Sequence, residues 1–323
     1  MEKKVSVCVV IVTYNRKEYL RKTLEGLEKQ TYPVSAILIY DNHSFDGTRE
    51  MLQNMGVLNT EVESNSVISN IKGVDWIYHR SSVNSGGSGG FHEGVKIAYQ
   101  MKYDYLWMMD DDVFPEQNCL EELLQHMSKD TRLCIPSRTD SHFNDKAIVK
   151  INMRNPFRYA LRHIKTYVPS NEIKGDVIPV VDMPFEGPLV STALISEIGF
   201  PNKNMFLNYD DTEYALRASK KTKILYCKNA ILHKQIVPMR DKDRLMDWKD
   251  YYSYRNQIWF YRTYGENFGV RTLRPLLLIL DLCGRAVIRK KWSNIIVIRR
   301  AYQDGVKGNL GKQINPGTPV ENF

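Results

Sequence analysis

Three adjacent aspartates stand out as residues whose type and spacing could do chemistry. Asp110, Asp111 and Asp112 directly follow an apolar run at 107–109. Neighbouring carboxylates repel one another unless a cation lies between them, and Mg²⁺ or Mn²⁺ binds such oxygen ligands and bridges them to phosphates. Because alternate residues of an extended strand share a face, Asp110 and Asp112 can converge on a cation while Asp111 points elsewhere. The pattern predicts a metal site, and the alternative is a solvated acidic turn.

A second acidic segment combines paired carboxylates with the start of a helical pattern. Asp210 and Asp211 precede Glu213 within residues 208–217. Acidic residues are favoured at a helix N-terminus by the helix dipole, so helix capping explains the pair as readily as chemistry on a substrate does. His233 follows a separate apolar run, where a lone histidine is more often structural than a ligand.

Two further segments have residue types suited to nucleotide binding. Asp41 ends the apolar run 37–40, where a carboxylate can accept hydrogen bonds from a base or ribose, although it could instead cap the next helix. The glycine-rich segment 84–91 could cradle a phosphate with its backbone N–H groups, or could form a flexible loop. It matches neither the P-loop pattern, which requires a lysine after the glycines, nor the G-x-G-x-x-G pattern. A kinase-like or dehydrogenase function therefore loses its main support.

These polar segments fall where alternating elements predict the ends of strands. Predicted strands lie at 5–12, 36–40, 74–78 and 105–109, and predicted helices at 17–29, from about 46–48 onward, and at 94–101. Such alternation predicts an α/β fold with a parallel sheet covered on both faces, and with ligands at the carboxyl ends of its strands.

The second half of the chain has a less regular pattern. The stretch 139–174 is irregular and charged, so we expect it to form a surface excursion outside the sheet. Further predicted elements are strands at 177–181 and 222–226, a strand or helix at 189–198, and an aromatic-rich helix at 248–264.

The composition is that of a globular protein with one large core or two modest ones. Of 323 residues, 43% are hydrophobic and 25% charged. The N-terminus is basic and then apolar but lacks a small-residue cleavage site, so no signal peptide is predicted. Five scattered cysteines without a C-x-x-C pair argue against a disulfide framework or a zinc site and favour a reducing cytoplasm.

The C-terminal part combines positive charge with an apolar stripe. Between Arg271 and Arg300 there are eight basic residues and one acid, Asp281, so most of the net charge of +8 lies there. Apolar residues recur at helical spacing in this segment: Leu273, Leu276, Leu277, Leu280, Val287 and Ile288. No apolar run reaches about 18 uninterrupted residues, so a membrane span is not predicted. The stripe either packs on the preceding domain or attaches peripherally to an anionic lipid surface.

In their order along the chain, the polar segments resemble family 2 of the inverting glycosyltransferases. The resemblance covers roughly residues 5–234 and rests on Thr13-Tyr14-Asn15, Asp41, the glycine-rich segment, the three aspartates, the segment 208–217 and His233. The N-x-G-G-x-G-G-F and N-Y-D-D-T-E-Y forms are most similar to galactofuranosyltransferases, and bacterial rhamnosyltransferases come next. The resemblance implies an α/β, glycosyltransferase-A-type nucleotide-binding fold with a mostly parallel central sheet and a helical C-terminal extension.

The resemblance also implies how the chain is divided. Residues 1–240 would form the catalytic domain, with a donor-binding part at about 1–115 and an acceptor-binding part at about 116–240. Residues 241–323 lie beyond the resemblance, and their apolar stripe with its flanking basic residues predicts a helical, basic and amphipathic region. That region would hold a cytoplasmic enzyme peripherally at the inner face of the cell membrane.

Each polar segment receives a role from the resemblance. The donor, a nucleotide sugar, would be bound by Thr13, Tyr14, Asn15, Asp41, Asn84, Gly86, Gly87, Gly89, Gly90 and Asp111. Asp110, Asp112 and His233 would hold Mn²⁺ or Mg²⁺, which neutralises the departing nucleotide diphosphate. Asp211 would act as the catalytic base, with its neighbour Asp210 as the alternative, and Asp210 and Glu213 would bind the acceptor.

The implied reaction is inverting transfer of galactofuranose from UDP-galactofuranose to a glycan or lipid-linked saccharide during synthesis of cell-surface polysaccharide such as capsule or O-antigen. A dTDP-rhamnose-dependent rhamnosyltransferase is the alternative within the family. A non-enzymatic module that binds metal and nucleic acid is the alternative of another class, but the basic residues follow one leucine-containing stripe rather than a phosphate path, so no nucleic-acid partner is expected. A nucleotidyltransferase would also use paired aspartates, but no glycine-rich lysine motif near the N-terminus supports it.

Overall fold

The computed structural model describes residues 4–58, 66–140, 143–157, 164–236 and 244–323. The strands are β1 (Val7–Thr13), β2 (Ala36–Asp41), β3 (Ser66–Ile71), β4 (Val74–Arg80), β5 (Tyr105–Asp110), β6 (Val113–Pro115), β7 (Leu133–Asp140), β8 (Phe143–Asn144), β9 (Lys146–Ile151), β10 (Lys165–Pro169), β11 (Val177–Val180), β12 (Leu189–Ser191) and β13 (Ile224–Lys234). The α-helices are α1 (Lys17–Glu28), α2 (Thr48–Asn54), α3 (Gly86–Gln100), α4 (Cys119–Gln125), α5 (Thr192–Ile198), α6 (Asp210–Ser219), α7 (Trp248–Tyr264), α8 (Arg274–Ile288) and α9 (Ser293–Lys307).

One large mixed sheet organises the first two-thirds of the chain. Its strand order is β11-β13-β7-β12-β5-β1-β2-β4-β3, with β6 paired to β13 and β8 to β7. The four strands β5, β1, β2 and β4 are mutually parallel, so their carboxyl ends meet at one edge. The short strand β12 runs antiparallel between β5 and β7 and joins the two halves of the sheet.

Strand β1 shows why this part of the chain folds as a covered parallel sheet. All seven of its residues are buried, as expected for a strand with protein on both faces. Val10 and Val12 belong to the hydrophobic cluster that includes α3, whereas Val9 and Ile11 belong to the cluster that includes α1. Alternate residues of a strand point to opposite faces, so this one apolar run contributes to both cores.

The predicted α/β fold is confirmed, but the stretch 139–174 is not irregular in its described part, although β9 and β10 lie outside the large sheet as expected; residues 141–142 and 158–163 lie outside the described residues. Strand β7 extends into that stretch, and β9 and β10 form a separate two-stranded antiparallel sheet. In β9, Lys146 and Lys150 are exposed while Ala147 is buried, and so short an alternation gives only a weak strand signal. The same reason explains why no pattern indicates the edge strand β3, half of whose residues are exposed.

The C-terminal helices pack on the sheet domain through a third hydrophobic cluster. Leu278 and Leu282 of α8 pack there with Ile258 of α7 and Ile298 of α9. Met153, from the chain before β10, belongs to the same cluster, so the helices contact the preceding part of the molecule directly. The predicted helix at 248–264 is confirmed as α7. Within the described ranges, no helix is both long enough and apolar enough to span a bilayer.

Candidate active site

The three aspartates lie at the sheet edge where β1 and β5 end, and each has different surroundings. Asp111 is 3% exposed, accepts a hydrogen bond of 2.7 Å from the Thr13 hydroxyl and lies 3.2 Å from the Arg16 guanidinium. The same guanidinium lies 3.0 Å from the carboxylate of Asp112. Arg16 therefore partly neutralises two of the three carboxylates. Sequence reasoning did not identify Arg16, because an arginine before a helical pattern carries no distinctive signal.

Asp110 ends β5 and has an unfavourable environment for a charged carboxylate. Burial, followed by repulsion from Asp112, Glu186 and Asp111, raises the pKa of Asp110 well above its ordinary value despite the opposing charge of Arg16. A carboxylate surrounded by other carboxylates is stabilised when a cation binds beside it. The negative charge of the three aspartates is thus only partly neutralised by Arg16, and a bound cation would stabilise them further.

The expected metal ligands are only partly brought together. The Nε2 atom of His233 lies 2.8 Å from the carboxylate of Glu116, which gives this histidine a partner other than the aspartates. Among the described residues, no group of three or more His, Cys, Asp or Glu side chains is arranged to hold a metal ion. Asp110 and Asp112 lie close enough for their charges to interact, and a hard divalent cation takes one or two such carboxylates together with substrate phosphates. The structure supplies no such support for His233.

A cavity of about 380 Å³ opens next to the aspartates. Its wall includes six of the residues expected to bind the donor: Thr13, Tyr14, Asn84, Gly86, Gly87 and Asp111. Arg16 and Lys249 add positive charge to the same wall, and Trp248 adds an aromatic surface. The cavity thus lies between the carboxyl edge of the sheet and the beginning of α7. The sequence did not indicate that α7 contributes to this site.

Asp41 and Asn15 organise the loops at this edge and are not among the residues that line the cavity. Asp41 is 1% exposed, and its carboxylate accepts hydrogen bonds of 2.7 Å from the Ser44 N–H and from the Tyr78 hydroxyl. The Asn15 side chain accepts a hydrogen bond of 2.8 Å from the Phe45 N–H. Their polar atoms fix the loop after β2, and their expected contact with the donor stays a prediction.

The glycine-rich segment lies at the start of a helix, so the alternative of a flexible loop is wrong, while a phosphate cradle of backbone N–H groups at a helix N-terminus stays a prediction. Helix α3 begins at Gly86, eight residues before the predicted start. A Cβ at Gly90 would lie 2.5 Å from Cγ1 of Val12, and one at Gly89 would lie 2.5 Å from the Ser85 side chain. Gly90 therefore permits close packing on β1, and Gly89 permits close packing on Ser85, the residue before the helix. Of the glycines in this segment, only Gly86 and Gly87 line the cavity.

The acidic pair lies in the first turn of α6, after a loop with unusual backbone geometry. Phe206, Asn208 and Tyr209 all have positive φ angles, between 64° and 68°. The Asn256 side chain of α7 donates hydrogen bonds of 2.9 Å to the carbonyl groups of Met205, Leu207 and Asn208. Sparsely populated backbone conformations persist when surrounding contacts impose them. Helix α7 thus holds the loop that positions the acidic pair.

Asp210 and Asp211 have raised pKa values. Burial raises the pKa of Asp210 to about 6. Burial, with added repulsion from Asp210 and Asp182, raises the pKa of Asp211 to about 7, and the charge of Lys165 opposes this shift. The ammonium group of Lys165 lies 2.5 Å from the Asp182 carboxylate and 2.8 Å from the Thr212 hydroxyl. Asp211 is therefore positioned to exchange a proton near neutral pH.

Three more residues near the acidic pair are Glu213, which the sequence suggested, and Lys165 and Asp182, which it did not. Glu213 is 3% exposed, and its carboxylate is held by Arg217 at 2.9 Å and by the Tyr264 hydroxyl at 2.5 Å, so its partners here are protein groups and its role in binding an acceptor stays a prediction. Lys165 and Asp182 were missed because they lie in or near the stretch predicted to be irregular. Only the tertiary fold brings them to Asp211.

Three cavities follow one another through the site, and an aspartate lies at each junction. Asp110 lines both the 380 Å³ cavity and a second cavity of about 200 Å³, which is also lined by Asp210 and Glu186. Asp211 lines this second cavity and a third one of about 300 Å³. The third cavity has the polar residues Arg138, Asn144, Lys146 and Lys165 and the aromatic residues Phe143 and Tyr226 in its wall. The arrangement separates a nucleotide-sized space from a polar space by a small chamber flanked with carboxylates.

Comparisons of the sequence with known proteins find similarity to glycosyltransferases. The family model described as Glycosyl transferase family 2 matches residues 8–177, more than half of the chain. The galactofuranosyltransferase GlfT1 of Mycolicibacterium smegmatis is 24% identical over 207 residues, which are 64% of this chain and 63% of that protein. The abequosyltransferase RfbV of Salmonella typhimurium is 29% identical over 177 residues, 54% of this chain and 46% of that protein. The chain thus matches less than two-thirds of the length of these relatives.

Solved structures share the fold. GalNAc-T7 with UDP, GalNAc and Mn²⁺ superposes with a TM-score of 0.56 at 13% identity, covering 89% of this chain and 58% of that one. The mannosyltransferase PcManGT of Pyrobaculum calidifontis with GDP-Man and Mn²⁺ gives a TM-score of 0.56 at 11% identity, covering 94% of this chain and 88% of that one. The fold is of the glycosyltransferase-A type. With its matched segment, its sheet and its line of cavities, the chain belongs to glycosyltransferase family 2.

Proposed function

We propose that this glycosyltransferase moves galactofuranose from UDP-galactofuranose to a glycan or lipid-linked saccharide, with inversion at the anomeric carbon. The observation that carries the proposal is the line of three cavities with Asp110 at the first junction and Asp211 at the second. A nucleotide would occupy the first cavity, the transferred sugar the small chamber and the acceptor the third cavity.

The first cavity has side chains suited to a nucleotide diphosphate. Arg16 and Lys249 supply positive charge to its wall, and Tyr14 and Trp248 supply aromatic surface on which a base can stack. Asp110 would hold a divalent cation together with Asp112, and such an ion supplies Lewis-acid neutralisation of the charge that develops on the leaving diphosphate. The nucleotide diphosphate would thus be bound by the basic side chains directly and by the carboxylates at the end of β5 through the cation.

Asp211 is the proposed catalytic base. A sugar hydroxyl is a poor nucleophile at neutral pH, so a carboxylate within hydrogen-bond reach must take its proton as the new bond forms. The acceptor oxygen bonds to the anomeric carbon, the bond from that carbon to the nucleotide diphosphate breaks, and the hydroxyl proton passes to Asp211. Because no enzyme carboxylate forms a covalent intermediate, this single displacement inverts the anomeric configuration.

The third cavity supports a saccharide acceptor. Its wall mixes charged and amide groups with Phe143 and Tyr226, a combination that can hydrogen-bond hydroxyl groups and pack against sugar rings. Arg138 also makes ion pairs of 2.6 Å with Asp145 and Glu186, so the wall is fixed in place. Synthesis of cell-surface polysaccharide is the proposed setting of the reaction.

The donor sugar is proposed from the relatives. Two GlfT1 proteins, from Mycolicibacterium smegmatis and Mycobacterium tuberculosis, are described as galactofuranosyltransferases and match at 24% and 23% identity. A dTDP-rhamnose donor is the alternative within the family, and RfbV, described as an abequosyltransferase, shows that a relative of similar identity transfers a sugar other than galactofuranose. Membership of family 2 favours an enzyme over a non-enzymatic module.

Thermal unfolding with nucleotides tests the donor assignment. A ligand that binds only the native state raises the unfolding temperature, so UDP with Mn²⁺ should raise it while dTDP and GDP with Mn²⁺ should do so less. Transfer assays with UDP-galactofuranose and dTDP-rhamnose should then favour the first donor. A rise with dTDP alone, accompanied by rhamnose transfer, would assign the alternative donor.

A further inference from the structure

A basic cavity lies away from the line of three cavities, between the start of α7 and the turn that joins α8 to α9. It has a volume of about 160 Å³, and Arg244, Arg285, Arg289 and Lys291 line it; within the described ranges, Asp250 is the acid in its wall. Asp250 binds Arg244 at 2.7 Å, and Asp281 of α8 binds Arg285 at 2.9 Å. Arg289 and Lys291 also have partners within the protein, so an anion of phosphate size in this basic space would share donors that are already paired.

Helix α8 has a second apolar face beside this cavity. Its inner face, which includes Leu278 and Leu282, is buried in the C-terminal cluster. The outer residues Leu280 and Ile288 are 68% and 81% exposed, and Trp292 in the turn to α9 is 59% exposed. A helix packed on a domain normally presents polar residues outward, and exposed large apolar side chains in one region mark an interaction surface.

Positive charge borders the exposed apolar residues. Arg289 and Lys290 follow Ile288 directly and are exposed, and Arg299 is exposed one turn after Ile296 of α9. Apolar residues flanked by arginine and lysine are characteristic of helices that lie in a membrane interface, where anionic headgroups attract the basic groups. The basic groups could bind the phosphates of a nucleic acid, but the exposed leucine and isoleucine side chains between them could not.

We propose that α8 and the α8–α9 turn dock on an anionic lipid bilayer, with the outer apolar residues in the acyl boundary and a headgroup phosphate in the basic cavity. The docking surface consists of Leu276, Leu280, Val287, Ile288, Trp292 and Ile296, with Arg289 and Lys290 at its edge. The proposal concerns attachment alone and holds whichever sugar the enzyme transfers.

The position of the basic cavity links attachment to the proposed reaction. Trp248 and Lys249 in the first turn of α7 line the nucleotide-sized cavity, whereas Asp250 and Tyr254 of the same helix line the basic cavity. One helix thus separates the proposed headgroup site from the active site. Attachment through α8 and the α8–α9 turn would hold the enzyme at the surface that carries lipid-linked acceptors.

Co-sedimentation with vesicles tests the docking surface. The wild-type chain should pellet with vesicles that contain phosphatidylcholine and phosphatidylglycerol, should remain soluble with phosphatidylcholine alone, and should be released by salt. The double substitution Arg289→Glu and Lys290→Glu should lower the partition coefficient on the order of tenfold or more, since each basic residue near an anionic leaflet contributes measurably. The matched control, Lys22→Glu with Lys29→Glu on the exposed side of α1, should bind like wild type.

A second readout keeps the test decisive if charge reversal affects folding. Trp292 is exposed, so its fluorescence should shift to the blue on anionic vesicles and be quenched by lipids brominated in the acyl chain. Trp292→Phe should remove that signal, and Leu280→Gln with Ile288→Gln should abolish pelleting. Equal binding to neutral and anionic vesicles, or unchanged pelleting of both double variants, would overturn the proposal, as would loss of self-association rather than of vesicle binding in these variants.

Discussion

Asp211 illustrates what residue types can and cannot reveal. Its place in the acidic pair follows from the sequence, yet capping of α6 explained the pair equally well. The fold places Asp211, but not Asp210, in the wall of the third cavity and near the charges of Lys165 and Asp182, while its carboxylate also accepts a hydrogen bond of 2.6 Å from the Thr212 N–H in the first turn of α6. Sequence separation hides those neighbours, because the chain between them and Asp211 must fold before they meet.

Asp211→Asn should lower the rate of transfer by about 10²-fold or more, the usual contribution of a positioned base. The amide keeps the shape of the carboxylate, so UDP affinity in the presence of Mn²⁺ should stay unchanged. Steady-state transfer kinetics together with calorimetry measure the two quantities. Inactivity of Asp210→Asn combined with full activity of Asp211→Asn would assign the base to the other aspartate.

The pH dependence of transfer should report the environment of Asp211. A base acts when it is deprotonated, and because its pKa is about 7, kcat/KM should fall as pH drops below neutrality. Lys165→Met removes a cation that lowers this pKa, so the acidic limb should move to higher pH. Asp182→Asn removes a negative charge that raises it, so the limb should move to lower pH.

Lys150→Met provides the control for these pH profiles, because Lys150 is exposed on β9. Its profile should coincide with that of the wild-type enzyme. An acidic limb that stays fixed in the Lys165 and Asp182 variants would show that another group controls it.

At the scale of elements, buried runs were predictable and half-exposed strands were not. Strand β1 has seven consecutive buried residues, and its run in the sequence is correspondingly continuous. The sheet of β9 and β10 is short and partly exposed, and β3 lies at an edge, so neither gives a strong periodic signal. The start of α3 was predicted too late because glycines usually indicate a loop. Here Gly90 lies within the helix, where it permits close packing on β1.

Two glycines of α3 offer a test of that packing. Gly90→Ala would place a Cβ 2.5 Å from Val12 and should cost about 1–3 kcal/mol of stability, as overpacking does. Gly87→Ala meets nothing within 4 Å, so it should be neutral or stabilise by up to about 1 kcal/mol through helix propensity. Urea unfolding of the two variants gives the comparison, and equal destabilisation would refute the packing role of Gly90.

At the scale of the whole molecule, the C-terminal helices are part of the site rather than an appendage. Helix α7 fixes the loop before α6 through Asn256 and contributes Trp248 and Lys249 to the nucleotide-sized cavity. The sequence predicted the helix correctly but not its contacts with the sheet domain. Patterns within one segment specify an element, whereas its placement depends on complementarity with distant segments.

The same distinction applies to the candidate site. The carboxyl ends of β1 and β5 were predicted to carry it, and the structure brings Thr13, Asp110 and Asp111 to one cavity there. The counter-charge of Arg16 on Asp111 and Asp112 required the folded chain, as did the pairing of His233 with Glu116. Metal binding by Asp110 and Asp112 remains the prediction on which the proposed chemistry depends.

Calorimetric titration of UDP, with and without Mn²⁺, tests that central claim most directly. Wild-type protein should bind UDP much more tightly when Mn²⁺ is present. Asp110→Ala and Asp112→Ala should lose this metal-dependent gain while retaining the fold by circular dichroism, and Asp211→Asn should keep it. Unchanged UDP affinity with Mn²⁺ in both Asp110→Ala and Asp112→Ala would contradict the assignment of a metal-dependent nucleotide site to the end of β5.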